Sequence, residues 1–581
     1  MQDAMKKKLI VSLLLMLSIV RVSSQTNDLV EVQTKGPEIT AKVLEQLKVE
    51  VPSWIDESAV PGAAVAIVDD RSILWQMTFG RTHREGGHPI TEETLFSIQS
   101  MSKSFTALGI LMAAQEGLLD LDTPITEYIP DFTVNSPYEE HPERKMTLRI
   151  LLSHKAGLTH EAPVGGNFDD RPHTFNEHVL SISDSWLRYP VGYRYSYSNL
   201  GIDLAGYILQ EKAGMPFWDY IHDKVFDPIG MKHSTMDVEK IMESTSRAVG
   251  HVSAKSKVED GIPVFIPMIP AGGVYTNLLD MARYMQFHLN KGIVDGIQIL
   301  ERGLIDQMHA PSIPEKHQRA GYGLCLVKNL ISLTYNLQHG GGGYGFITSM
   351  VMYPEIKLGV VTLCNSHETR LNGDRIMEVI NRIIEEELGK TEPHPVLPTA
   401  GPDRPVSPTD GRVQKLQGRY DRNIVIGHRQ EDFGIAIGRD FYPLKFFLDT
   451  AGELVGVFGT YSEIRLKPQL WGKHGSLVHL NRLSGICSYF DFHKPEKDMD
   501  QPGPDKPEWR RYFGRYRQLA WGRMQSSMLR INVQDGYLSC NGVRCFEFVP
   551  GLFFTFDGEA LDLRGTVPTF RNIMLIKTST K

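Results

Sequence analysis

The stretch Phe96-Ser97-Ile98-Gln99-Ser100-Met101-Ser102-Lys103-Ser104-Phe105-Thr106-Ala107 decides how this chain is read. Ser100 and Lys103 form a Ser-x-x-Lys pair, and the mostly apolar or small residues from Phe105 to Gln115 predict a buried helix. A helix beginning at Ser100 puts the two side chains at i and i+3, side by side on one face. The serine then sits among free backbone N–H groups at a positive dipole end, a setting that disfavours a charged amine and can hold a developing oxyanion. A neutral Lys103 can take the proton from Ser100, which makes the pair a nucleophile and its base. Alone the pair is weak evidence, because a helix-capping serine followed by a solvated lysine is commoner than a catalytic dyad.

Working outward, two strand-like runs, Gly62–Val68 and Ile73–Phe79, precede the pair and predict a hairpin around Asp69-Asp70-Arg71. A helix is expected over 38–56. Residues 120–290 read as helix and loop, including Thr147–Leu152, Asn199–Lys212 and Leu278–Asn290. Strand patterns return at Tyr322–Lys328, Ile331–Gln338, Phe346–Tyr353 and Leu358–Cys364. A helix from about Asp374 to Leu388 stops at Gly389. The expected fold class is α+β: one antiparallel sheet with helices on both faces and an inserted helical subdomain.

Two further segments carry chemistry. Tyr197-Ser198-Asn199 lies in a turn before a helix, where a tyrosine hydroxyl beside a lysine can shuttle protons and Asn199 can orient Lys103 or bind a substrate amide. A buried tyrosine and a capping asparagine are the plain alternative. His339-Gly340-Gly341-Gly342-Gly343 joins two strands, and glycines there allow a ligand to approach the backbone. It is not a phosphate loop, since no Gly-Lys-Ser/Thr follows.

In this order, Ser-x-x-Lys, Tyr-x-Asn and His-x-Gly resemble the serine β-lactamase and penicillin-binding-protein superfamily, in its class C, D-aminopeptidase and esterase branch. Thr147-Leu148-Arg149-Ile150-Leu151-Leu152-Ser153-His154-Lys155-Ala156-Gly157-Leu158 and Ala271-Gly272-Gly273-Val274-Tyr275-Thr276 support the likeness, which covers roughly residues 35–390. The resemblance implies Ser100 as the acylated nucleophile, Lys103 and Tyr197 as the proton-transfer pair, and the backbone N–H groups of Ser100 and Gly342 as the oxyanion hole. It implies Asn199, His339 and Gly341 on the substrate side, and no cofactor. Class C β-lactamases usually carry Tyr-Ala-Asn and Lys-Thr-Gly; here Ser198 and His339 stand in the changed positions. A lysine in the third motif is a permanent charge for a substrate carboxylate, whereas a histidine near its reference value is mostly neutral at pH 7. The departure favours an esterase, amidase or aminopeptidase over a dedicated β-lactamase or D-alanyl-D-alanine peptidase. The rivals are a penicillin-binding-protein-like D-peptidase with slight β-lactamase activity, and a non-catalytic peptide or glycan receptor.

Composition bounds the rest. The chain has 581 residues with 41% hydrophobic and 23% charged content, ordinary for soluble globular protein but long for one domain. A formal charge of −7 with no long basic run argues against nucleic acid. Lys6-Lys7-Lys8, the apolar run Leu9–Val20 and Val22-Ser23-Ser24 fit a signal peptide cleaved near Ser24, implying a periplasmic or secreted protein without stable membrane insertion. The five cysteines make no disulfide framework, though Cys540 and Cys545 flank a possible Asn541-Gly542 turn and are a candidate pair. No Cys-x-x-Cys or His-Glu-x-x-His is present, so no metal is expected.

Six prolines between Thr391 and Asp410 predict a linker over 391–411. Beyond it Leu416-Gln417-Gly418-Arg419-Tyr420 recurs as Tyr512-Phe513-Gly514-Arg515-Tyr516, with a second Pro- and charge-rich break over 494–507. The expected organisation is a signal peptide (1–24), a hydrolase domain (25–390), and two related β modules (412–493 and 508–581) that resemble lipocalin-like appendages. Such modules can cover a cleft or mediate self-association as a homo-oligomer. With few contacts crossing the linker, they are expected to be dispensable for the chemistry.

Overall fold

The computed structural model describes residues 30–579, apart from 253–265, 390–403, 495–505, 519–527 and shorter gaps of four residues or fewer. The expected signal peptide, and most of both expected linkers, lie outside the described residues.

The elements that position the site are α1 (30–56), β1 (Gly62–Val68), β2 (Ile73–Gly80), α2 (Ser102–Gln115), α3 (Asn199–Ala213), α4 (Leu278–Leu289), β3 (Gly321–Tyr322), β4 (Val327–Ile331), β5 (Thr334–Gly343), β6 (Phe346–Tyr353), β7 (Leu358–Cys364) and α5 (Gly373–Leu388). The strands make one seven-stranded sheet in the order β2-β1-β7-β6-β5-β4-β3, every pair antiparallel. The two ends of the chain's first 390 residues meet in it, because β1 pairs with β7 from Ala63↔Cys364 to Val68↔Gly359.

Alternation explains the layering. Ala64, Ala66 and Val68 of β1 face one core with α2, α3 and α4, whereas Ala63, Val65 and Ile67 face a second core with α1 and α5. The strand β6 divides in the same way, Met350 and Met352 against Val351 and Tyr353. Helix α2 is buried from Ser102 to Ala113, so it lies inside the larger core. Such a helix needs no polar face, which is why its sequence reads as apolar all round.

Several boundaries differ from expectation, and β5 runs on through the glycine segment to Gly343 instead of ending at Gln338. Helix α1 begins at residue 30 rather than 38. The run Tyr322–Lys328 splits into β3 and β4 because Cys325 takes φ 57° inside it. The run Ile331–Gln338 starts at Thr334 because Ser332, at φ 47°, turns the chain from β4 into β5.

Beyond the sheet, strands between Arg404–Val406 and Ile486–Lys494 form a ten-stranded antiparallel sheet. Arg404–Val406, inside the expected 391–411 linker, pairs with Lys445–Leu448 and so belongs to that sheet. The last eight strands, from Gly514–Gln518 to Ile573–Ser579, close into a barrel. The repeated pentapeptide has the same physical role in both. Gly418 and Gly514 adopt φ 151° and 150°, and the tyrosine two residues on is buried. Tyr420 donates to the Leu416 carbonyl at 2.9 Å, and Tyr516 to the Tyr512 carbonyl at 2.6 Å. The candidate Cys540–Cys545 disulfide is absent. In the hairpin register Cys540 faces Val543 and Leu538 faces Cys545, so the two thiols sit on different rungs, and neither is disulfide-bonded.

Candidate active site

Ser100 does not open the α-helix. It sits in a 3₁₀ turn, Gln99–Met101, that leads into α2, and Gln99 before it takes φ 50°. A non-glycine residue in that region is strained and persists only where its surroundings hold it. Here the surroundings are specific. The Gln99 amide donates to Ser97 Oγ at 2.7 Å, and the Ile98 carbonyl accepts from Thr348 Oγ1 of β6 at 3.0 Å. The i, i+3 geometry survives the tighter turn. Lys103 Nζ lies 3.0 Å from Ser100 Oγ and also donates to the Ala271 carbonyl at 2.8 Å. Lys103 is fully buried and, among the described residues, makes no ion pair with a carboxylate. Its Nζ is 5.1 Å from the centre of the Tyr197 ring.

The segment Pro270–Val274 is clamped to α2 and to the turn before it. Val274 N–H donates to Ser102 Oγ, Ile98 N–H donates to the Val274 carbonyl, and Thr106 Oγ1 donates to the Pro270 carbonyl. Asp203 of α3 fixes the same segment, accepting from Ala271 N–H at 2.9 Å while its other oxygen meets His178 Nε2 at 3.1 Å, all buried. Asp203 therefore positions the carbonyl that Lys103 uses, a role its place mid-helix gave no reason to suspect.

Tyr197 and Asn199 enter at the start of α3, where Ser198 caps the helix through Gly201 N–H. Asn199 is buried, and its amide reaches Glu161 Oε1 at 3.4 Å rather than Lys103. Of the two tasks expected of it, orienting Lys103 or binding a substrate amide, the first is not seen among the described residues, where the lysine's hydrogen bonds go to Ser100 and Ala271. Glu161, not anticipated, is a buried carboxylate gripped by His160 Nδ1 at 2.5 Å and by Asn167 through both backbone and side chain. Burial works against its charge, but the His160 and Asn167 contacts outweigh it and hold the carboxyl below its ordinary value.

The glycine run of β5 is approached by the chain itself. A Cβ on Gly341 would lie 2.0 Å from the Ile98 carbonyl, and one on Gly343 would lie 2.6 Å from Gln99 Oε1. These glycines let β5 lie directly against the nucleophile's turn. At Gly342 a Cβ would come no closer than 3.4 Å to its nearest neighbour, Ile347 Cδ1. Gly342 thus lies one residue beyond the contact that seats β5 on the Ser100 turn.

His339 is buried in a directed chain of hydrogen bonds. Its Nδ1 lies 2.7 Å from the Gly340 carbonyl and so donates, leaving Nε2 to accept from Tyr322 Oη at 3.0 Å. Tyr322 Oη is 3.1 Å from His154 Nε2, and His154 Nδ1 accepts from Ser198 N–H at 3.2 Å. Every donor and acceptor is matched only if both rings are neutral. Burial, then the nearby Lys103 charge, pushes His339 down to about 4, and the same causes push His154 well below its ordinary value. The third motif is therefore neutral at pH 7. His154 was visible inside the quoted Thr147–Leu158 phrase, but only its contact with Tyr322 reveals a task.

One wall of this cleft comes from the last barrel. Glu559 is buried, accepts from Thr159 Oγ1 at 2.7 Å, and pairs with Arg188 at 3.3 Å and Arg571 at 3.4 Å. Asn572 donates to the Glu161 carbonyl and to Ser185 Oγ. Trp186 meets Phe548 and Phe554 edge-on. The expectation that few contacts cross from the C-terminal modules fails for this barrel, because a buried carboxylate and an aromatic cluster tie it down. A cluster of ligand-type side chains elsewhere, His222, Asp223 and Asp227, is partly exposed and sits on a separate helix.

The sequence matches the Beta-lactamase family over residues 41–380, more than half the chain. The chain belongs to the Beta-lactamase family. This is a family of serine hydrolases; the β-lactamase/transpeptidase-like fold is followed here by C-terminal all-β modules, the last of them a small barrel. Among curated relatives, Protein flp of Staphylococcus aureus (strain MW2) is 23% identical over 58% of this chain and 65% of its own length. Beta-lactamase-like protein 2 of Dictyostelium discoideum is 26% identical over 45% of this chain and 47% of its own. The chain thus spans half to just under two thirds of the length of these relatives. Among solved structures, the octameric penicillin-binding protein homologue from Pyrococcus abyssi aligns over 77% of this chain and 99% of its own, with TM-score 0.51 and 21% identity.

Proposed function

We propose that the protein is an exported serine hydrolase that cleaves an ester or amide through an acyl-enzyme on Ser100. The observation that carries this is the buried Lys103 amine, 3.0 Å from Ser100 Oγ and without a carboxylate partner among the described residues. Burying an amine without a carboxylate partner costs several kcal/mol, and its place beside a hydroxyl points to a catalytic use. Ser100 Oγ attacks the substrate carbonyl as its proton passes to the Lys103–Tyr197 pair, which delivers it to the leaving group. The backbone N–H groups of Ser100 and Gly342 receive the oxyanion. Water then resolves the acyl-enzyme by the same route in reverse.

The neutral His339 favours uncharged esters and amides over substrates that need a fixed cation for a carboxylate. Relatives include the Unguisins hydrolase ungD' of Aspergillus campestris, 25% identical over 54% of this chain, which is consistent with hydrolysis as the reaction class. The basic, then apolar, then small-residue N-terminus supports export. The test is to label the purified protein with a fluorophosphonate and with a fluorescent penicillin, side by side. Fluorophosphonate labelling that disappears in Ser100→Ala is expected, with esters turned over at higher kcat/KM than β-lactams. Labelling that persists in the variant sinks the assignment.

A further inference from the structure

We infer that the interior of the C-terminal barrel is a substrate subsite: it receives an apolar group, about the size of a medium-length alkyl chain, attached to the bond cleaved at Ser100. This deepens the hydrolase reading and rests on it for the identity of the reacting bond.

A single cavity of about 650 Å³ is shared between the two parts of the molecule. On the catalytic side it is lined by Gly342 and Gly343 at the end of β5 and by Tyr344 just after it. On the other side it is lined by residues from seven barrel strands, among them Leu529, Cys540, Val543 and Ile573. Leu529 and Cys540 also belong to the barrel's own buried core, so the cavity opens into the barrel's inside rather than along its outer surface. An eight-stranded barrel has an interior of this order, enough either to fill with side chains or to hold one small ligand. Here the core residues fill part of it and leave a chamber within the size range of ligand pockets.

The polar groups around the chamber's neck are occupied with one another. The Glu161 carboxylate is bound by His160, Asn167 and Asn199, and Arg571 pairs with Glu559. Tyr344 Oη donates to Asn167 Oδ1. What remains facing inward is mainly aliphatic and aromatic, so the complementary ligand part is apolar. Its register is set by Gly342, which lines the chamber and is the proposed oxyanion donor: a carbonyl held there has its substituent at the chamber's mouth. The Glu559 links to Thr159 and Arg188 hold the mouth in place.

The experiment uses the full chain. Binding is measured first without chemistry, by calorimetry of octanamide and acetamide on Ser100→Ala. Octanamide is expected to bind at least about thirty-fold more tightly, since each buried methylene adds roughly a factor of four. Turnover of p-nitrophenyl acetate and octanoate, and of octyl and ethyl acetate, is then compared in the unaltered protein, Val543→Trp and Phe570→Ala. Val543→Trp fills the chamber and should cut kcat/KM for one of the two octyl-bearing esters at least ten-fold while leaving p-nitrophenyl acetate within two-fold. Phe570→Ala enlarges it and should shift the preference toward longer chains; it stands as the independent variant if the first is unstable. Equal binding of the two amides, or an unchanged chain-length preference in a folded variant, overturns the subsite. Failure of the hydrolase reading looks different: ester turnover would survive in Ser100→Ala, while octanamide would still bind.

Discussion

At the residue scale, Lys103 and His339 show how one buried charge orders its surroundings. Lys103 can stay dry because two acceptors meet its amine, and its presence helps keep His339 and His154 neutral. The sign of the resulting pH effect follows. His339 binds a proton near pH 6.5 when unfolded but only near pH 4 when folded, so the unfolded state holds more protons between these values. The neutral-histidine contribution is complete above about pH 6.5 and is lost as pH falls toward 4. Urea unfolding at pH 7 and pH 5 should differ by about 2 kcal/mol from this group alone, and His339→Asn should shrink the difference. A second expectation concerns Lys103→Ala and Tyr197→Phe. Each should lower kcat by orders of magnitude and the double variant little more than the worse single one, because residues sharing one proton transfer are not additive. Additive losses would show separate tasks. Ser100, Lys103, Tyr197 and His339 were all legible from motif order. Asp203 and Tyr322 were not, because each acts through a partner distant in sequence: Asp203 through Ala271, Tyr322 through His154.

At the scale of elements, the decisive join is β5 against the 3₁₀ turn. Gly341→Ala places a methyl 2.0 Å from the Ile98 carbonyl, a backbone atom that cannot step aside. The strand must shift by about an ångström, which typically costs on the order of a hundred-fold in rate. Gly342→Ala meets only Ile347 Cδ1 at 3.4 Å and should leave the fold's stability nearly unchanged. Thermal unfolding and steady-state kinetics on the pair check this; equal behaviour would mean that the close approach is not what seats the strand. Central strands whose near-continuous apolar runs are buried on both faces were read to the residue, as at Gly62–Val68, Phe346–Tyr353 and Leu358–Cys364. Apart from the start of α1, the errors discussed above fell where a non-glycine residue takes positive φ, at Gln99, Cys325 and Ser332. Nothing in those residue types announces a left-handed turn, because tertiary contacts impose it.

For the whole molecule, the repeat told that two β modules exist but not where they sit. Docking depends on groups that look ordinary in sequence, Glu559 above all. Glu559→Gln keeps the shape but removes the charge shared by Arg188 and Arg571, and should loosen the barrel by about 2 kcal/mol. Faster amide exchange over residues 157–161 and 185–189 is the expected readout, with a relaxed preference between bulky and small esters. Unchanged exchange would place the hold elsewhere, in the Trp186 aromatic cluster.

The seating of the barrel also bears on tempo. A cleft walled on one side by a docked barrel makes substrate arrival and product departure a matter of passage past that wall, and passage is a diffusive event with friction. Once bond cleavage outruns it, turnover becomes indifferent to how good the leaving group is and sensitive instead to the viscosity of the medium. A molecule built this way has its speed limit written in the seam between its parts.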